Sequence, residues 1–308
     1  MSGGVLFSPD KIPDLSGKVI LVTGGTAGLG AATVLHLAKR SPAHIYISGR
    51  NAKSASDLVE QVRDSNSKTR VSFLPCDLAS LVSVKEAAET VLKQESRLDI
   101  LMCNAGIMAQ PPGLTKDGYE VQFGINHLGH ALLIQKCLPL LQQTAEQPGA
   151  DVRIIILTSL GFQMHPSGGI IFSDLKTVQN FSVFGSWIRY GQSKLANVLY
   201  ARELARRYPA ITSVSVHPGV ASTGLVENQS WGNRAFIYAT NMGKLLKPSE
   251  GAYNQLWSAT TAKENLENGQ LYEPVGVLSS KLDKAARDDA LAKKLWEWTD
   301  RALEDYMN

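Results

Sequence analysis

Six short runs, Lys18 to Thr23, His44 to Ser48, Val71 to Cys76, Leu98 to Cys103, Val152 to Thr158 and Thr212 to Val216, look like strands, and most of them are apolar along nearly their whole length. A strand with one face in water alternates apolar with polar residues, whereas a run apolar on both faces must be covered on both. Between the runs lie stretches of helical period, for example Leu29 to Arg40, Ser83 to Gln94 and Leu195 to Tyr208. The alternation predicts a doubly wound α/β fold, a parallel sheet with helices on both faces. No Gly/Ser linker, compositional break or internal repeat divides the 308 residues. The expectation is therefore one domain over 17–308, preceded by a loose N-terminal arm over 1–16. After Val216 the pattern turns irregular, with Gly224, Gly232, Gly243 and Pro248 among Trp231, Phe236, Ile237 and Tyr238. Residues 224–248 read as a small substrate lid.

Several function classes fall away at this point. A net charge of +3 with scattered Lys and Arg offers no footprint for nucleic acid. Uninterrupted apolar runs such as Ile154 to Leu157 are far short of the roughly 18 to 20 residues of a spanning helix. The opening MSGGVLFSPDKIPDLSGK lacks the basic and long apolar regions of a signal peptide, so no membrane span and a cytoplasmic location are expected. Cys76, Cys103 and Cys137 are odd in number, lack metal-ligand spacing and read as reduced core thiols.

The first apolar run leads into TGGTAGLG, residues 23 to 30. Gly24, Gly28 and Gly30, between a strand and the helical LGAATVLHLAKR, place backbone N–H groups and a helix N-terminus together, an arrangement suited to pyrophosphate. Alone, the same glycines also suit a turn that only packs helix on strand. The spacing TGxxxGxG is followed, in order, by CDL (76–78), CNAG (103–106), GINHLGH (124–130), LTS (157–159), YGQSK (190–194) and HPGVAST (217–223). This set, over about residues 17 to 225, resembles the short-chain dehydrogenase/reductase family. GGIIFSDL (168–175) and YGQSKLANVLYARELARR (190–207) are similar to its retinol-dehydrogenase-like branch. The resemblance implies a Rossmann-type sheet, a nicotinamide cofactor and no metal. It also implies a homodimer or tetramer, expected here through the helices containing Leu128 to Leu141 and Leu195 to Tyr208.

The second run ends in Ser48-Gly49-Arg50, where such folds face the adenosine ribose. No carboxylate stands there to take the 2′-hydroxyl of NAD. Arg50 offers a planar fork of donors for a 2′-phosphate, with Lys53 close in sequence, so NADP(H) is the expected cofactor. By resemblance, Gly24, Thr26, Gly28, Leu29 and Gly30 form the phosphate cradle, and Asp77 and Leu78 meet the adenine. Asn104, Ala105 and Gly106 would support the strand end and the adenosine ribose, while Pro218, Val220 and Thr223 would hold the nicotinamide carboxamide.

Tyr190 and Lys194 stand four apart, which on a helix puts them on one face a turn apart. A phenol titrates near about 10 and is a poor base at neutral pH, but an adjacent ammonium would lower it. The resemblance makes Tyr190 the general acid/base, and gives Lys194 both that electrostatic task and a bond to the nicotinamide ribose. It further implies that Ser159 hydrogen-bonds the substrate oxygen and that Asn126 binds a water relaying protons to Lys194. His127, His130 and His165 are too dispersed for a metal set and read as pocket or surface residues.

The interval from Ser159 to Tyr190 is longer than is common in the family and carries Phe162, Met164, Ile170, Phe172, Phe184 and Trp187. It either walls an apolar pocket or covers one end of the sheet. With the lid, it points to a bulky, lipophilic carbonyl or alcohol as substrate. The leading reading is an NADP(H)-dependent carbonyl reductase or alcohol dehydrogenase, because Asn126, Ser159, Tyr190 and Lys194 all stand. The alternatives are a reductase of an imine or conjugated double bond on the same scaffold, and a non-catalytic NADP(H)-binding regulator.

Overall fold

A computed structural model describes residues 5–65, 67–242 and 245–307. Its strands are β1 (Val19–Thr23), β2 (His44–Gly49), β3 (Arg70–Pro75), β4 (Ile100–Cys103), β5 (Arg153–Leu157), β6 (Thr212–Val216), β7 (Leu271–Glu273) and β8 (Val277–Leu278). They form a single sheet in the order β3-β2-β1-β4-β5-β6-β7-β8. Every pairing is parallel except β7 with β8. The first six strands are the six runs, shifted by at most two residues at an end. The chain reverses direction beside β1, where the order runs outward to β2 and β3 on one side and to β4, β5 and β6 on the other.

The uniform apolarity has a direct structural cause. Val19 and Leu21 of β1 enter one core and Ile20 and Val22 the other, and β5 divides its residues the same way, Ile154 and Ile156 against Ile155 and Leu157. The helices are α1 (Gly28–Ala38), α2 (Ala52–Asp64), α3 (Leu81–Gln94), α4 (Val121–Phe123), α5 (Gly129–Ala145) and α6 (Gly185–Arg207), with a π-helical turn, Gly124–Leu128, joining α4 to α5. There follow α7 (Gly224–Glu227), α8 (Trp231–Thr240), α9 (Pro248–Gly251), α10 (Tyr253–Thr260) and α11 (Asp289–Met307). Residues of α3, α5, α6 and α11 pack into the first core, and those of α1, α2 and α10 into the second.

Three expectations change. Residues 5–16 are docked rather than loose: Ile12 and Leu15 are buried, Leu15 N donates to the Arg40 carbonyl at 2.8 Å, and Arg40 Nη2 donates to the Pro9 carbonyl at 2.9 Å. Helix α6 begins at Gly185 rather than Leu195, because Arg189, Gln192, Ser193 and Lys194 are buried polar residues that break the apolar period. The helices named as an interface between copies are covered by α11. Trp296 stacks on Tyr200 with ring centroids 5.0 Å apart, Gln135 Nε2 donates to Asp300 Oδ1 at 2.6 Å, and Thr299 Oγ1 pairs with His127 Nε2 at 3.1 Å. Those faces of the two helices are therefore occupied within the chain itself.

In the lid segment, α7 and α8 stand over the carboxyl end of the sheet, and a parallel bridge joins Ala221 to Leu246. Gly243, counted in the lid, lies outside the described residues, as do residues 1–4 of the arm. Among the described residues, no helix is long and apolar enough to cross a membrane. Cys76, Cys103 and Cys137 are buried free thiols, and burial pushes those of Cys76 and Cys137 up to about 12, far from a reactive thiolate.

Candidate active site

The carboxyl ends of β1, β4, β5 and β6 converge on one region, and Thr23 at the end of β1 organises it. Its Oγ1 accepts from Asn104 N at 2.9 Å and Ala105 N at 3.0 Å, and Asn104 Nδ2 donates to the Thr23 carbonyl at 2.9 Å. With those bonds accepted, the hydroxyl proton is free for His130 Nε2, 2.8 Å away, while His130 Nδ1 donates to the Asn126 carbonyl at 3.1 Å. Burial lowers His130 to about 4, so the ring stays neutral in this relay. His130 is thus neither pocket nor surface: it ties the glycine turn to the π-helical turn that holds Asn126.

Different glycines answer to different demands. Gly24 (φ +62) and Gly28 (φ +53) occupy the left-handed region. At Gly30 a Cβ would sit 2.2 Å from the Gly24 carbonyl oxygen and 2.7 Å from Asn104 Nδ2, so the close neighbour is the chain's own turn. Gly30→Ala is expected to cost about 1–3 kcal/mol of stability and to weaken nucleotide binding by forcing the turn open. Denaturant unfolding and fluorescence titration with NADPH would measure the two effects.

The turn fits an anionic cofactor. Helix α1 starts after Ala27, which offers no side-chain cap, so its first N–H groups face outward from Gly28, Leu29 and Gly30. Thr223 closes over the same place, its methyl 3.5 Å from where a Cβ on Gly28 would be. Thr26 lies against Gly49, where a Cβ would come within 3.0 Å of its hydroxyl. Arg50 is exposed and makes no ion pair or hydrogen bond among the described residues, whereas Lys53 is engaged by Asp57 at 2.9 Å. Burial opposes the charge of Asp77, but bonds from Lys116 and Ala79 N and the charges of Lys116 and Arg50 hold its carboxyl below the usual value. Leu78 is buried, its carbonyl within 2.8 Å of where a Cβ on Gly129 would be. Asn104 Oδ1 also accepts from Gln255 Nε2 at 3.1 Å. Pro218 and Val220 are half-buried just beyond β6.

The four candidate catalytic residues meet. Tyr190 and Lys194 are each 5% exposed on α6, and Asn126 is fully buried beside them. A Cβ on Gly106 would lie 3.0 Å from Asn126 Oδ1 and 3.4 Å from Lys194 Nζ, so a side chain there would intrude on both. Ser159 Oγ accepts from Gly161 N at 3.1 Å and stands beside Tyr190: a Cβ on Gly161 would lie 3.3 Å from Ser159 Oγ and 3.1 Å from Tyr190 Cε1. Two expected details differ. Burial pushes the Tyr190 phenol up to about 12, against an opposing effect of Ser159, rather than down under the influence of Lys194. Lys194 Nζ lies 5.8 Å from the tyrosine ring centroid and donates to the Leu157 carbonyl at 3.2 Å, and burial lowers it to about 8. The Asn126 amide spends both protons within the protein, on the Ile107 carbonyl and Ser193 Oγ, each at 2.9 Å, and its Oδ1 accepts from Ile107 N at 2.8 Å. It can offer a water acceptor positions only.

The Tyr190 ring forms part of a third apolar cluster with Met108, Met164, Trp187, Val220, Phe236 and Ile237. Of the long interval before Tyr190, Phe162, Ile170 and Phe172 pack into the core under α11, while Met164 and Trp187 pack into the cluster of Tyr190. Sequence reasoning missed Arg189 and Glu120, both buried and 3.3 Å apart. Arg189 donates to the carbonyls of Gln179 (2.9 Å) and Gln110 (2.8 Å), binding the two loops that flank the tyrosine. Their separation in sequence gave no signal of this pairing. A cavity of about 570 Å³ at the amino ends of the central strands β1, β4 and β5, lined by Phe7, Leu15 and Trp257 among others, contains none of these residues. Its Lys18 and Arg153 are paired with Asp99 and Asp151.

The sequence profile described as short chain dehydrogenase matches residues 18–233. An uncharacterized oxidoreductase of Schizosaccharomyces pombe is 39% identical over 307 residues, covering 96% of this chain and 88% of the relative. Retinol dehydrogenase 13 of Mus musculus is 35% identical over 303 residues, covering 96% and 86%. Among solved structures, a putative uncharacterized protein from Mycobacterium paratuberculosis superposes with a TM-score of 0.74 at 27% identity, covering 98% of each chain.

Proposed function

The chain belongs to the short-chain dehydrogenase/reductase family of oxidoreductases, and on that premise we propose that it exchanges hydride between NADP(H) and a bulky, lipophilic carbonyl or alcohol. The observation that carries this reading is the setting of Tyr190. It stands beside Ser159, its ring lies in an apolar cluster, and Lys194 lies one turn along the same helix. The uncapped start of α1 with Gly24, Thr26, Gly28, Leu29 and Gly30 would hold the pyrophosphate, and Arg50 the 2′-phosphate. Asp77 and Leu78 would meet the adenine, with Asn104, Ala105 and Gly106 beside them, and Pro218, Val220 and Thr223 would meet the carboxamide. When bound, the nicotinamide supplies or accepts the hydride.

The residues do the rest. Ser159 donates to the substrate oxygen and orients it toward the Tyr190 hydroxyl. A phenol, whether ordinary or raised by burial, is protonated at neutral pH, which is the form a proton donor to a nascent alkoxide must have. Lys194 holds the positive charge that offsets the phenolate once the proton has left, and Asn126 keeps the loop through Ile107 against α6. The regulator reading has little support, since it requires none of Asn126, Ser159, Tyr190 and Lys194 to be brought together. The name of the retinol dehydrogenase relative is in keeping with a lipophilic alcohol. We read 17–308 as one domain serving this site. Following NADPH oxidation across a panel of ketones and aldehydes, with product identification, tests the function; no turnover on any lipophilic carbonyl would refute it.

Preference for NADP(H) follows from an exposed Arg50 without an ion-pair partner and from the lack of a carboxylate at Ser48 or Gly49. Titration of both cofactors by fluorescence should show tighter NADPH binding, and Arg50→Asp should reverse the order. Equal affinity for NADH in the unaltered protein would sink the assignment.

A further inference from the structure

From Tyr190 a series of rings leads outward. Trp187 follows at 6.1 Å between centroids, Phe236 at 5.1 Å from Trp187, and Phe184 at 6.2 Å from Phe236. Tyr190 is buried, Phe236 half-buried, and Phe184 is 60% exposed, so the series runs from the reacting hydroxyl to the surface. Phe184 holds a left-handed conformation (φ +51) at the start of α6, a strained state for a residue with a side chain, and its ring meets Phe236 across the gap to α8.

Helix α8 is weakly held. Among its ten residues only Ile237 is buried, and Trp231 is 87% exposed. A short helix with so little buried surface depends on specific contacts for its position. One such contact comes from the same ring series: Trp187 Nε1 donates to Asn233 Oδ1 at 3.1 Å. Asn233 Nδ2 then donates to Gln229 Oε1 at 3.2 Å, and Gln229 Nε2 donates to the Met108 carbonyl at 2.8 Å. The path leaves α6 one turn before Tyr190, crosses α8, and returns to the loop after β4 on the other side of the tyrosine. It links α6, α8 and that loop around the apolar cluster of Tyr190.

We propose that Trp187 determines the substrate specificity of this site. Its ring packs against that of Tyr190, and its indole N–H fastens α8 beside the tyrosine. The site then selects carbonyl compounds or alcohols with an extended apolar body, the oxygen at Tyr190 and Ser159 and the body along Trp187, Phe236 and Phe184. Short substrates, which end before Phe236, gain nothing from the fastened helix. This inference rests on the hydride-transfer reading above.

The test uses the full chain with NADPH and straight-chain methyl ketones from butanone to dodecanone. In the unaltered protein kcat/KM should climb with chain length. Trp187→Phe keeps an apolar ring but removes the donor, and Asn233→Leu removes the acceptor from the α8 side, where a change of fold is least expected. Each should flatten the climb by about tenfold, the scale of one part-buried hydrogen bond, chiefly through KM for the longest ketones. The double variant should lose clearly less than the sum of the two single losses, because the bond between Trp187 and Asn233 is gone in both. Amide hydrogen exchange in Trp231–Thr240, measured without substrate, should accelerate by about tenfold in both variants. Equal losses on every ketone, additive losses in the double variant, or unchanged exchange in α8 would each overturn the proposal. If exchange responds as expected but the unaltered protein reduces no ketone, the hydride-transfer reading fails, and the specificity role with it, while the fastening of α8 stands.

Discussion

Tyr190→Phe is expected to lower turnover by about 10² to 10⁴ while leaving NADPH affinity nearly unchanged. The substitution removes one hydroxyl and keeps the ring that packs with Met108, Trp187 and Ile237, so the apolar cluster should survive. Loss of the hydroxyl should cost folding no more than about 1 kcal/mol, too little to unfold the chain. The phosphate-side residues, from Gly24 to Gly30 and Arg50, are untouched. Single-turnover kinetics and fluorescence titration on the same preparation separate the two effects. Near-normal turnover with intact cofactor binding would show that this hydroxyl is not the proton donor. The imine or conjugated double-bond reading would then move ahead, because such a substrate can take its proton from solvent or another group.

The sequence carried the sheet well for a physical reason. Strands β1, β2 and β5 are buried on both faces, so their composition alone betrays them. Strand β7, with three residues, and β8, with two, are too short for any period to register, and both were missed as strands. The start of α6 was hidden because its buried face is polar: Arg189, Gln192, Ser193 and Lys194 look like a solvated helix until their partners are known. Those partners come from far away in the chain, Glu120 for Arg189 and the Leu157 carbonyl for Lys194. The same distance explains His130, whose bond to Thr23 no local pattern announces. The motifs named which side chains would gather, and the structure gathers them. The direction in which Tyr190 titrates depended on burial, a property of the packed chain, and so could not be read from a four-residue spacing.

Lys194→Met should produce the opposite outcomes for stability and function. In the folded protein burial lowers the ammonium to about 8, from an ordinary value of 10.5. Below about pH 8 the lysine is charged in both folded and unfolded chains, and the folded state bears the full cost of holding that charge out of water. Between about pH 8 and 10.5 the folded form has released its proton while the unfolded form still binds it, so stability rises with pH until the cost is gone. Replacing the ammonium by an unbranched apolar chain should therefore stabilise the cofactor-free protein at pH 7 by about 3 kcal/mol and abolish the upward slope across that window. The carbonyl of Leu157 is not orphaned, since Asn197 Nδ2 still donates to it at 3.0 Å. Catalysis should meanwhile fall by about 10² to 10⁴, and NADPH affinity should fall with it, because on the proposed reading the same ammonium offsets the phenolate and bonds the nicotinamide ribose. Tyr190→Phe, by contrast, spares affinity. Urea unfolding of the variant and the unaltered protein at pH 7 and at pH 10, without cofactor, measures the difference directly. A variant less stable at pH 7, or one that keeps the same dependence on pH, would show that Lys194 is already compensated in the folded chain and is not a charge held at a cost for the sake of the reaction.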